Sequence, residues 1–134
     1  MRRPAFEQLV QEALATIPPR FRQRLKNLAI IVEDEPDPQL LDDMEVPEGE
    51  TLLGLYHGVP LTERSWDDGN RLPDRITLFQ DPLERASDDD EDLVTAIGET
   101  LIHEIGHYFG LSEEELEDIE DRYWHARNPG AEEE

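Results

Sequence analysis

The residues with most chemical content are His103, Glu104 and His107, in the run His103-Glu104-Ile105-Gly106-His107-Tyr108-Phe109-Gly110-Leu111-Ser112-Glu113. On an α-helix, residues four apart lie one above the other, so the two imidazoles can aim at one point with Glu104 beside them. Neutral imidazole suits zinc, and a catalytic Zn2+ site keeps three protein ligands and one position for water. Glu104 is the base that would take that water's proton as it attacks a carbonyl. The implied reaction class is hydrolysis.

Two histidines on one helix do not close a zinc site. A residue about ten positions after His103 can fold back only if the chain reverses near Gly110, which is the residue expected in left-handed conformation at a helix end. Glu113 occupies that place and is the expected third ligand, with Glu114, Glu117 and Glu120 as the alternatives. Ser112 and Glu115 at the same time spell a capping box that opens a second helix, so Glu113 would stand in its first turn.

The element that carries the motif is legible in the flanking residues. Ser87 and the run Asp88 to Asp92 supply a cap and carboxylates favoured at the positive end of a helix dipole. Leu93, Val94, Ile97, Leu101, Ile102, Ile105 and Phe109 then recur at spacings of three and four, a broad apolar face for a core. Ala96, Thr100, His103 and His107 fall on the adjoining stripe, where small residues leave room for a cleft floor.

The stretch HEIGHYFGLSEEEL, the acidic helix start before it and the strand-like Arg75 to Gln80 together resemble the minimal zincin family of small bacterial zinc metallopeptidases, over most of the chain. That resemblance implies a zincin-like domain in which His103, His107 and Glu113 hold zinc and Glu104 is the general base. The larger metzincins continue to a methionine turn below the metal; here no methionine follows Met44, and Glu113 stands where they carry histidine.

Upstream, Pro4 to about Ile17 reads as an amphipathic helix with Phe6, Leu9, Val10, Ala13 and Leu14 inward, ended by Pro18-Pro19. A short helical turn at Arg20 to Leu25 can follow. Leu28 to Val32 reads as a buried strand, Glu33 to Glu50 as a Pro-rich acidic loop, and Thr51 to His57 and Arg75 to Gln80 as further strands. This order gives an α+β class, a small mixed sheet packed against the motif helix and additional helices. In zincins generally an edge strand above the metal binds substrate by adding it to the sheet; Arg75 to Gln80 is the strand expected there.

At 134 residues the chain is expected to form one zincin-like domain over residues 1–127, followed by an acidic tail, 128–134. With 24 residues after Gly110, the far wall of a substrate cleft would be one helix, so the cleft should be open. Such a cleft fits a flexible peptide or unfolded protein substrate, or a protein partner that completes it. A monomer is expected. A formal charge of -22 disfavours nucleic acid, and half of the 12 basic residues fall within the first 26 positions. There is no cysteine, no apolar run long enough for a membrane and no signal-like segment after Met1, so a cytoplasmic location is the expectation.

Tyr123, His125 and Tyr56 are candidate donors to an oxyanion, each read first as a packing or surface residue, and His57 is read as structural. Thr100, Glu117 and Asp121 are the candidates for orienting a ligand. The competing function is a non-catalytic metal-binding or peptide-binding module on the same fold, or a toxin-like or chaperone-associated factor; Glu104 separates them, because a pure metal site does not need it.

Overall fold

The structure, a computed structural model, describes residues 1–23, 25, 28–58 and 74–129. In chain order the described elements are α1 (Arg3–Thr16), α2 (Pro19–Arg22), β1 (Leu28–Glu33), α3 (Pro38–Asp43), β2 (Gly54–His57), β3 (Asp74–Phe79), α4 (Gln80–Arg85), α5 (Asp90–Phe109) and α6 (Glu113–Arg127). The class is α+β. No helix among the described residues is long and apolar enough to cross a membrane. Most of the expected tail, residues 130–134, lies outside the description; Asn128 ends α6.

Among the described residues the sheet has the order β1-β3-β2, with β1 parallel and β2 antiparallel to β3, so that β1 and β2 are its edges there. This corrects the expected role of residues 75–80: β3 is the central strand, and β2 is the edge strand next to the motif helix. Thr77 and Gln80 are buried, and the Gln80 amide accepts from Arg3 Nε at 2.7 Å and donates to the Met1 carbonyl at 2.8 Å. Asp74 accepts from the Tyr56 hydroxyl at 2.8 Å. The reading of Leu28 to Val32 as a buried strand is corrected as well: β1 is an edge, with Leu28 buried, Ile30 and Val32 half-buried and Ile31 exposed. An unbroken apolar run does not report which of its faces the fold covers.

Two short helices interrupt segments expected as loop or strand. Asp37 caps α3 by accepting from the Gln39 N–H, with Pro38 in the first turn, and Gln80 opens α4 rather than closing β3. Both are single turns or little more, too short for hydrophobic periodicity to reveal.

The core lies between α1, α5 and the sheet. Phe6, Leu9, Val10 and Ala13 of α1 face Leu93, Val94, Ile97, Leu101, Ile102 and Ile105 of α5, with Ile76 and Leu78 of β3 completing the layer. Helix α5 starts at the Asp89 cap and ends at Gly110, whose φ of 73° is the left-handed C-terminal turn; the Leu111 N–H reaches back to the Gly106 carbonyl at 3.0 Å. Ser112 and Glu115 then form the capping box of α6.

Helices α5 and α6 pack antiparallel in a register that two glycines permit. A Cβ at Gly106 would lie 2.0 Å from Leu116 Cδ2, and one at Gly98 would lie 1.9 Å from the Tyr123 hydroxyl oxygen. Leu116 is fully buried in the space that Gly106 leaves. Gly106→Ala should therefore lower stability by about 1–3 kcal/mol through overpacking, outweighing the ~1 kcal/mol helix preference of alanine. Urea unfolding of Gly106→Ala, Leu116→Ala and the double variant checks this: the alanine at 106 should cost much less once Leu116 is removed.

Candidate metal centre

The last two turns of α5 bring the motif residues together on the side facing β2 and α6. Ligand atoms of His103, Glu104 and His107 all lie within 4.8 Å of one another, a group that could hold a metal ion. The Nε2 atoms of His103 and His107 face each other at 3.2 Å, with the rings tilted by 51°. Two imidazole nitrogens bound to a tetrahedral zinc at ~2.0–2.1 Å stand about 3.3 Å apart, so the pair is already spaced as that donor set requires.

Glu104 sits beside them, 7% exposed. Its Oε1 accepts the Tyr56 backbone N–H at 2.8 Å, a donor on the side of β2 turned away from the β3 ladder. Burial pushes the Glu104 carboxyl above its ordinary pKa, while His107, the Tyr56 N–H and His103 pull it back down. A carboxylate moved upward in this way is better matched to take a proton near neutrality than an ordinary surface glutamate. Strand β2 can come this close because Gly54 has no side chain: a Cβ there would lie 2.6 Å from Thr100 Cγ2 on α5. Tyr56 is fixed further by its hydroxyl on Asp74 and by an edge contact of its ring with Tyr108.

Helix α6 contributes two glutamates at different places. Glu113, the first residue of α6, is exposed, and its Oε1 lies 3.9 Å from His107 Nε2. Glu120 lies behind His103: its Oε1 is 3.1 Å from His103 Nδ1, across the ring from the Nε2 pair. Burial raises the Glu120 carboxyl pKa, opposed by His103. Glu114 and Glu117 line a neighbouring groove with Asp118 and Trp124. Thr100 Oγ1 donates to the Ala96 carbonyl of its own helix. Of the proposed oxyanion donors, Tyr123 is buried with its hydroxyl 2.7 Å from that of Thr16, Tyr56 points its hydroxyl at Asp74, and His125 Nδ1 lies 2.8 Å from the Asp121 carbonyl of α6. His57 stands opposite Arg75 in the sheet.

Two contacts escaped sequence reasoning, the Tyr56 N–H on Glu104 and Glu120 on His103. The first had no local signal. The second had one: Glu113, Leu116, Glu120, Tyr123 and Arg127 recur at spacings of three and four in an otherwise acidic helix, which is the stripe that faces α5.

Alongside the centre runs a cleft of about 320 Å³, walled by Thr51 to Gly54 on one side and by Glu99, Thr100, His103, Glu104 and Glu120 on the other. Burial, with Glu120 adding to it, raises the Glu99 carboxyl as well. In the metal-free chain Glu99, Glu104 and Glu120 thus hold protons at pH values where the unfolded chain, at the ordinary value of 4.5, has lost them. The folded state binds more protons in that window, so its stability falls as pH rises from 4.5 through the raised values. Melting curves in chelator should give a Tm that falls as pH is raised from 4.5 toward neutrality. Saturating zinc should reduce or reverse this fall, because ligands must shed protons to bind.

A sequence profile of zincin-like metallopeptidases matches residues 25–123, and the chain belongs to that family. No match is found among curated proteins. Among solved structures, a conserved hypothetical protein from Thermus thermophilus is similar in fold, with a TM-score of 0.53 and 24% identity over 81% of this chain and 94% of that one.

Proposed function

We propose that the chain is a zinc-dependent peptidase in which His103 and His107 bind the metal through Nε2, Glu113 is the third ligand and Glu104 is the general base. The observation that carries this reading is the pair of Nε2 atoms 3.2 Å apart with a buried, hydrogen-bonded carboxylate beside it. Zinc, when bound, would supply the Lewis acidity that makes water a nucleophile at neutral pH and polarises a peptide carbonyl. The protein's own part is to hold and move the proton. The Tyr56 N–H fixes one oxygen of Glu104, and the other is left to accept a proton and to pass it to the leaving amine.

A metal site held by His103, His107 and Glu113 would not need Glu104, whose burial costs free energy that its one hydrogen bond, from the Tyr56 N–H, offsets only in part. For the third ligand, Glu113 is favoured over Glu120 because it approaches the Nε2 side of His107, whereas Glu120 is engaged with Nδ1 of His103. The substrate class is an extended peptide or unfolded protein, for which the open cleft and the neighbouring strand offer a seat, or one presented by a protein partner in the cytoplasm. A mixed peptide library incubated with zinc-loaded protein and read by mass spectrometry tests the proposal. Cleavage that stops on chelation and returns with zinc is expected; an intact library at full zinc occupancy would leave the non-catalytic binding module.

A further inference from the structure

We propose that Glu120 is the positioning residue of the metal centre, accepting the Nδ1–H of His103 so that this ring is fixed and its Nε2 lone pair is the one offered to a metal. The inference rests on the zinc reading above and adds to it a residue 17 positions beyond His103.

Once ionised, the Glu120 carboxylate can only accept, so with His103 neutral the 3.1 Å contact puts the proton on Nδ1 and leaves Nε2 as acceptor or ligand. Free imidazole side chains carry no such constraint. The placement is built in by packing on both sides. Along the antiparallel α5/α6 seam, Leu116 fills the space over Gly106, Tyr123 covers Gly98, and Arg127 Nε donates to Thr95 Oγ1 at 3.1 Å. Glu120 is one turn from Leu116 and one turn from Tyr123, on the same face, so the seam sets it opposite His103. The same geometry argues against Glu120 as a ligand, because its carboxylate is on the far side of the ring from the Nε2 pair. Partners of this kind hold ring orientation and raise the basicity of the ligating nitrogen, and their removal costs metal affinity about 10–100-fold.

The test uses the full chain, 15N-labelled and metal-free, with long-range 1H–15N correlations of the histidine rings, followed by zinc titration against a competing chelator. Wild type should show His103 as the Nδ1–H tautomer. Glu120→Ala should lose that preference and bind zinc about 10–100-fold more weakly. Glu120→Gln, which keeps an acceptor oxygen, should retain the tautomer and stay within several-fold of wild type. An unchanged tautomer and affinity in Glu120→Ala would overturn the inference. So would a loss in Glu120→Gln as large as in Glu120→Ala, accompanied by a changed absorption band of the cobalt-substituted protein, which would make Glu120 a ligand. Wild type that binds no zinc would instead defeat the metal reading, while its metal-free tautomer would still report whether Glu120 holds His103; if Glu120→Ala does not fold, wild type and Glu120→Gln decide alone.

Discussion

Glu104→Gln should reduce peptide cleavage by about 10²–10⁴-fold, the usual contribution of a positioned general base, while leaving zinc occupancy unchanged. The amide oxygen of glutamine can still accept the Tyr56 N–H, so the side chain should stay in place. Only the proton-accepting function is lost. The substitution also replaces a buried carboxylate whose pKa is raised chiefly by desolvation, so the metal-free variant should be at least as stable as wild type at neutral pH. Loss of activity together with retained or increased Tm is the signature of a group kept for chemistry. A drop in Tm would mean that the carboxylate is structural. Steady-state cleavage of a library-derived peptide, elemental analysis and melting curves on the same samples separate the cases.

His107→Ala should weaken zinc binding by more than about 100-fold, since a direct ligand is worth more than the orienting partners of ligands. The readout need not depend on catalysis. Zinc at about a hundred times its Kd should stabilise wild type by about 2.7 kcal/mol, a rise of roughly 10 °C in Tm for a chain of this size. In His107→Ala that rise should vanish at the same zinc concentration. His107 is half exposed, so its truncation removes little packing and should leave the metal-free Tm near that of wild type. A zinc-induced shift that survives in His107→Ala would place the metal elsewhere.

The parts of the molecule legible in the sequence are those fixed by neighbours along the chain. The convergence of His103, Glu104 and His107 follows from helical spacing, the reversal follows from Gly110, and the start of α6 follows from Ser112 and Glu115; each needs only a short stretch of local context. The inward face of α1 is of the same kind. What sequence reasoning missed depends on partners distant in the chain. Residues 75–80 read as an edge strand until the fold pairs β3 with β1 on one side and β2 on the other, and then β3 is central. Ile31 looks like core until β1 is seen to be an edge. The bond from Tyr56 to Glu104 spans 48 positions and is made by a backbone N–H, which no residue type announces.

Glycine was the under-read signal. Gly98 and Gly106 sit inside a helix, where glycine costs ~1 kcal/mol relative to alanine, and such a cost within a long helix points to close approach of another element. Here that element is α6, and the approach is what brings Glu113 and Glu120 to the two histidines.

The measurement that bears most directly on the zinc reading is bound zinc per chain, by elemental mass spectrometry on purified protein after dialysis against a weak chelator. Close to one zinc per chain is expected. A chain that is metal-free, and remains so after zinc is offered and the excess removed, would contradict that reading and reduce His103 and His107 to neighbouring side chains on a helix.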